Sequence, residues 1–267
     1  TLNAMITDTS ELDELDYNAD TQKEWHKYRT NHPQLGKPGG YTSRSTQVAA
    51  LAEFGRDILP DGTKLTDDPK EFYHYHTNSL NIMEKYHADA GWKLPPEVYD
   101  LHNSWKDIYS AALTSLTGVF KALEETHPEL LSKVAPPEVL NGSPSRLLFY
   151  HPGQGDVLAA GHYDKSLGTI QIAESHQGLR VRNNETKEME EITRPTDKGV
   201  VFVGGTLAKA YPETPLTAGW HDVINLPEAN EGRHLHGRNV ARWALILFAN
   251  NNHTQTFTKQ ESHQEAA

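Results

Sequence analysis

The chain has 267 residues, enough for one or two domains with a core that holds without staples. It has no cysteine, which excludes disulfides, thiolate zinc sites, cysteine-held iron–sulfur clusters and cysteine nucleophiles, and makes a cytoplasmic location the expectation. With 25 basic against 36 acidic residues the net charge is −11, which argues against a duplex-binding surface, and no apolar run approaches the length of a membrane span.

The first 20 residues carry Asp8, Glu11, Asp13, Glu14, Asp16 and Asp20 with no lysine or arginine, and read as an acidic arm or a solvated first helix. His32 to Arg44 is rich in Pro, Gly, Ser and Thr and reads as a loop. Helical periodicity follows over Gln47–Ile58 and again over Asp67–His87, the second behind an Asp67-Asp68-Pro69 start. Two apart in such a helix, His74 and His76 face different ways and read as structural histidines. The clearest helix opens after Pro95-Pro96. Val98, Leu101, Trp105, Ile108, Ala112, Leu116, Val119 and Leu123 recur there at intervals of three and four, as a core-facing stripe does.

At Asn141 the pattern changes to short apolar or alternating runs between turn signals. They are Arg146–His151, Val157–His162, Gly168–Ala173, Leu179–Arg182, Val200–Val203, Gly219–Ile224 and Val240–Ala249. Strands this short and this regularly spaced imply a sandwich or closed barrel. The expected class is therefore α+β, with a mainly helical region 1–140 packed on a β core 141–249, and a polar tail over 250–267.

The motif scan is mostly negative. Gly153-Gln154-Gly155 follows a strand, but Leu158 stands where a dinucleotide fingerprint needs its third glycine and another strand follows. No phosphate-binding P-loop, H-E-x-x-H or G-x-S-x-G occurs. Fifteen histidines are the compositional hint of chemistry.

Three features of the β half belong together. In Gly161-His162-Tyr163-Asp164, a continued strand sends His162 and Asp164 to one face and Tyr163 to the other, making half a divalent-metal site. Trp220-His221-Asp222-Val223 offers a second imidazole from a distant strand, and two histidines with one carboxylate leave three adjacent positions open for non-haem Fe(II) chemistry. Arg242, at the mouth of an apolar strand, is placed to pair with a carboxylate. Tyr150 is even between packing and a ligand contact. Lys165, beside the triad, and His234 and His236, in a Gly- and Arg-rich loop, are candidate substrate contacts with solvated side chains as the bland reading.

At this point the chain resembles the Fe(II)/2-oxoglutarate-dependent dioxygenase superfamily from about Arg146 to Ala249. The parts run in order: Leu147-Leu-Phe-Tyr-His-Pro152, His162-x-Asp164, Gly168-Thr-Ile-Gln-Ile with Gly178-Leu-Arg-Val, Gly199-Val-Val-Phe-Val-Gly204, His221-x-Val223 and Arg242-x-Ala244. The resemblance implies a double-stranded β-helix (jelly-roll) core, iron on His162, Asp164 and His221, and the distal carboxylate of 2-oxoglutarate on Arg242 with Tyr150 as second contact. It also implies O2 as the oxidant, a small-molecule substrate such as an amino acid or natural-product intermediate, and hydroxylation as the default outcome, with desaturation or ring closure diverging only after hydrogen abstraction. Related halogenases carry a small residue where Asp164 stands, so chlorination is disfavoured.

The sequence departs from the pattern at several positions. Ala244 replaces a small hydroxyl residue, Asp222 stands where a basic residue is frequent, and Gly205-Thr206 replaces a Gly-Asp pair. An excess of chain between His221 and Arg242 fits a loop insertion, Leu226–Gly237, which leaves Arg233 and Arg238 as rival anchors. Two other classes stay in play: a jelly-roll metalloenzyme not using 2-oxoglutarate (an isomerase or oxidase), and a binding barrel with an empty triad. Neither the substrate nor the oligomeric state is legible in the sequence.

Overall fold

Alternation along Ser145–Tyr150 (β3) sets the layering of the molecule. Leu147 and Phe149 join one buried cluster and Leu148 and Tyr150 another, as opposite faces of one strand must. A computed structural model describes residues 40–42, 70–136 except 76, 78, 90, 92 and 95, then 140–150, 157–226 except 194 and 196, and 242–249. The expectations for the acidic arm, the His32–Arg44 loop apart from 40–42, the Gln47–Ile58 helix, His76, most of the Leu226–Gly237 loop and the 250–267 tail lie outside the described residues.

The strands in chain order are β1 (Gly40–Thr42), β2 (Lys70–Tyr75), β3, β4 (Val157–His162), β5 (Gly168–Glu174), β6 (Leu179–Arg182), β7 (Met189–Glu191), β8 (Val200–Val203), β9 (His221–Ile224) and β10 (Arg242–Ala249). They form a six-stranded sheet in the order β1-β2-β3-β10-β5-β8 and a four-stranded sheet in the order β4-β9-β6-β7. Every pairing is antiparallel. From β3 onward the chain passes back and forth between the sheets, an arrangement compatible with a jelly-roll core.

Among the described residues the first half is not simply helical. The stretch expected to be one helix over Asp67–His87 is strand β2 followed by helix α1 (Ser79–Asp89). Phe72, Tyr73 and Tyr75 are aromatic residues that favour a pleated, half-buried surface, and β2 fills the place beside β3, with Phe72 opposite Leu148 and His74 opposite Arg146. The long helix, α2 (Pro96–Glu124), starts where the sequence places it. Its buried face is rotated from the expected stripe: Tyr109 and Phe120 are buried, whereas Val119 is 36% exposed.

Helix α2 packs on the outer face of the six-stranded sheet. Trp105 is fully buried there, stacked on Tyr75 with ring centroids 5.4 Å apart, and its indole Nε1 donates to Ser145 Oγ at 3.0 Å. Ser145 Oγ in turn donates to the Ile246 carbonyl at 2.8 Å, so the helix is bonded through one hydroxyl to two neighbouring strands. Phe72, Leu148, Leu158, Phe202, Val223 and Ala244 form the second cluster, whose members come from both sheets. Among the described residues no helix is long and apolar enough to cross a membrane.

Candidate metal centre

Strand β4 ends at His162 and β9 begins at His221, and the register places these residues opposite each other. Their ring centroids are 4.4 Å apart. Asp164, two residues past the end of β4, lies between them: His162 Nε2 is 3.8 Å from Oδ1 and His221 Nε2 is 3.9 Å from Oδ2. One donor atom from each residue lies within 4.8 Å of the others.

The backbone prepares both imidazoles in the same way. His162 Nδ1 lies 2.8 Å from the Ala160 carbonyl and His221 Nδ1 lies 2.9 Å from the Gly219 carbonyl. A carbonyl only accepts, so each Nδ1 carries the proton and each Nε2 presents its lone pair toward Asp164. Desolvation, together with the adjacent His221 imidazole, holds the His162 pKa below its ordinary value, against the raising pull of Asp164. That favours the neutral form a metal ligand must have. The Phe202 ring lies flat on His221, with centroids 5.1 Å apart and planes at 13°, and fixes that imidazole from the side.

Donor identity and direction fit a ferrous ion. Metal–ligand bonds of about 2.1 Å put neighbouring donors about 3 Å apart, so donors that all lie within 4.8 Å of one another need to close by less than about 2 Å. Three donors on one face leave the remaining positions of an octahedron open.

The loop that carries Asp164 is clamped from below by the turn at Gly204-Gly205, one of the turn signals in the sequence. After β8, Gly204 N–H donates to the Leu167 carbonyl at 3.0 Å, and Gly205 N–H, the first residue of α3 (Gly205–Ala210), donates to the Asp164 carbonyl at 2.8 Å. Thr206 Oγ1 donates to the Lys165 carbonyl at 2.6 Å. A Cβ on Gly204 would sit 1.9 Å from the Ser166 carbonyl oxygen, so no other residue permits this approach. Thr206 thus works as a clamp.

Asp222, whose charge is reversed against the superfamily pattern, has its own partner. Arg180 on β6, directly opposite in register, donates Nε to Oδ1 at 2.9 Å and Nη2 to Oδ2 at 2.6 Å. Charge at this spot is exchanged between strands. Tyr163, past the end of β4, packs edge-on against Trp220 with ring centroids 4.8 Å apart, and its hydroxyl accepts from Arg182 Nη2 at 2.6 Å.

A cavity of about 600 Å3, including the part open to solvent, adjoins the triad. His162, Asp164, His221 and Tyr150 line it, with Thr169 and Gln171 from β5. It also holds two cations that the sequence reading did not single out, Lys70 on β2 and Arg146 on β3. No local motif marks either; their place follows from strand register.

The other expected site residues fall elsewhere. Arg242 is 1% exposed and does not line the cavity. Its Nη2 donates to Glu174 Oε2 at 2.5 Å, its Nε donates to the His176 carbonyl at 3.2 Å, and its Cζ lies 5.3 Å from the centre of the Tyr150 ring. Its Nη1 is buried with no hydrogen-bond partner among the described residues. Lys165 is exposed and is not part of the cavity lining. His234, His236, Arg233 and Arg238 lie outside the described residues.

No family model matches the sequence, and no curated protein matches it. Solved structures do match. Neurospora crassa T7H, crystallised with alpha-KG and thymine, superposes with a TM-score of 0.62 at 17% identity over 98% of this chain and 77% of that one. JOX2 in complex with 2OG, Fe and JA gives 0.58 at 17% identity over 95% of this chain, which spans 65% of JOX2. The Arabidopsis thaliana dioxygenase for auxin oxidation 1, as its 2-oxoglutarate complex, gives 0.52 at 11% identity over 92% and 79%. The chain has the fold of the 2OG-Fe(II) oxygenases.

Proposed function

We propose that this protein is a non-haem Fe(II)/2-oxoglutarate-dependent oxygenase that oxidises an unactivated C–H bond of a small molecule, an amino acid or natural-product intermediate, by hydroxylation, desaturation or cyclisation, with release of succinate and CO2. The observation that carries this reading is the convergence of His162 Nε2, His221 Nε2 and the Asp164 carboxylate, with both Nδ1 atoms tied to carbonyls. The three residues would hold the iron. Iron and 2-oxoglutarate, when bound, supply O2 activation coupled to decarboxylation of the oxo acid.

The chain's own contribution is placement and exclusion. The two carbonyl-tied imidazoles keep their lone pairs aimed without reorganisation, and Phe202 keeps the His221 ring from turning. Tyr150, Lys70 and Arg242 share one row across β2, β3 and β10, so the distal carboxylate of the oxo acid belongs at that row. The orphaned Nη1 of Arg242 is a donor that this carboxylate would satisfy. Leu148, Leu179 and Val223 line the apolar remainder of the cavity and limit its water.

One observation favours a second reading, a jelly-roll metalloenzyme without an oxo-acid cosubstrate. Glu174 already occupies part of the Arg242 fork. Oxygen consumption and succinate release by the Fe(II)-loaded protein separate the two. Turnover of O2 that depends on 2-oxoglutarate, with matching succinate, supports the oxygenase; O2 consumption indifferent to 2-oxoglutarate, or no Fe(II) binding in an anaerobic titration, overturns it.

A further inference from the structure

We propose that Arg146 anchors the substrate and that the substrate is a small organic anion, its carboxylate received by the Arg146 guanidinium in the cavity that the metal centre also lines. This rests on the oxygenase reading above and specifies the substrate class of the same site. Arg146 lines the cavity that holds the triad. Its guanidinium is packed between two rings, with Cζ 4.1 Å from the centre of Phe72 and 5.1 Å from that of Phe248. Its Nε donates to His74 Nε2 at 2.7 Å. A guanidinium covered on its faces interacts through the N–H groups in its plane, the geometry that matches a carboxylate. Because the ring packing and the histidine already fix the side chain, little freedom remains to be lost on binding.

The cavity's cations fall on two levels, which separates two anions. Lys70 is opposite Tyr150, and Tyr150 is opposite Arg242. Lys70 and Tyr150 of this row line the same cavity as the triad. Arg146 is four residues back along β3, about 13 Å at the rise of an extended strand. There it touches Phe248, which is opposite Thr169; Thr169 is opposite Phe202, and Phe202 stacks on His221. The Arg146 level is thus linked to the His221 side of the triad through this row of neighbours, and both line one cavity. With the oxo acid's distal carboxylate on the Tyr150 row, the Arg146 level is left for the molecule to be oxidised. A carboxylate there directs the carbons attached to it along the cavity, whose wall includes His221 and Asp164.

The test uses paired probes, phenylacetate, benzoate and hexanoate against their carboxamides, on full-length protein loaded anaerobically with Fe(II) and 2-oxoglutarate. Calorimetry is expected to show at least one acid binding about tenfold or more tighter than its amide, a preference that Arg146→Gln reduces to within about threefold. Arg146→Lys, which keeps the charge and the packing stem but loses the fork, is expected to retain part of the preference and covers the case in which the glutamine variant does not fold. Amides binding as well as acids, no acid binding at about 10 mM, or an acid preference that is intact in both variants overturns the proposal. Succinate release is measured in parallel and judges the oxygenase reading separately. A protein that prefers acids through Arg146 yet never makes succinate keeps the anion site and loses the oxygenase.

Discussion

Arg242 and Glu174 form a 2.5 Å ion pair whose two side chains are 1% and 9% exposed. A carboxylate of the chain therefore sits where the superfamily pattern leads one to expect a carboxylate of the cosubstrate. Gln171 Nε2 donates to the same Glu174 oxygen at 2.9 Å, which holds the acid in place. Glu174→Gln leaves the Arg242 charge buried without its counter-ion, at a cost of about 3–5 kcal/mol. Thermal unfolding with and without 2-oxoglutarate is the measurement. The glutamine variant is expected to melt lower and to gain more from 2-oxoglutarate than the parent, because the ligand restores the missing charge. Arg242→Gln is expected to gain less. Equal gains in all three proteins assign the distal carboxylate to Lys70 instead.

Asp164 is the acid on which both histidines converge, with His162 and His221 Nε2 atoms 3.8 and 3.9 Å from its two oxygens. Asp164→Ala removes the only anionic donor of the three, and Fe(II) affinity is expected to drop at least about 100-fold, with succinate formation falling in parallel. Asp164→Asn keeps the shape and loses the charge, and is expected to fall between the two. Anaerobic titration with Fe(II) measures the first effect without any turnover. Unchanged affinity in the alanine variant rules these three residues out as the ligand set.

How much of this was legible in the sequence depends on whether the signal was local. The strands over Val157–His162, Leu179–Arg182 and Val200–Val203 are short apolar runs between strong turn residues, and the structure has them at those bounds. Asp67-Asp68-Pro69 resembles a helix start, whereas the place beside β3 that makes Lys70–Tyr75 a strand is a tertiary fact. The stripe on α2 was misplaced toward Val119 because a repeat of three and four drifts around a helix of 29 residues; Phe120 is the buried neighbour. Three site residues were recognisable by type and order. Lys70, Arg146, Glu174 and the Arg180 partner of Asp222 were not, since each owes its place to cross-strand register.

Gly161, next to His162, has no room for a side chain. A Cβ there would come within 2.8 Å of the Trp220 indole, and Trp220 precedes His221. Gly161→Ala must push the indole or bend β4, and either motion reaches both histidines through their immediate neighbours. Overpacking of this kind costs about 1–3 kcal/mol. The expected result is a modest fall in urea midpoint together with an Fe(II) affinity loss of about tenfold or more, larger than the stability change alone explains. Trp220→Leu combined with Gly161→Ala relieves the contact and is expected to recover part of the iron affinity.

Acid should weaken the fold through His102, far from the His162–Asp164–His221 triad in sequence. His102 is 4% exposed in the α2 face, its Nε2 lies 2.9 Å from the Tyr73 hydroxyl, and burial pushes its pKa down to about 4. In the unfolded chain the same imidazole titrates near its ordinary 6.5. Between those values the unfolded state takes up a proton that the folded state refuses, so stability is complete above pH 6.5 and declines as pH falls toward 4. The decline attributable to His102 is about 2 kcal/mol between pH 7 and pH 5. His102→Gln keeps a hydrogen-bonding group for Tyr73 and has no proton to gain. Urea unfolding of the metal-free protein at the two pH values should therefore show the parent losing about 2 kcal/mol more than the variant. Equal losses would mean that His102 is already protonated in the folded state or that another buried group governs the acid limb.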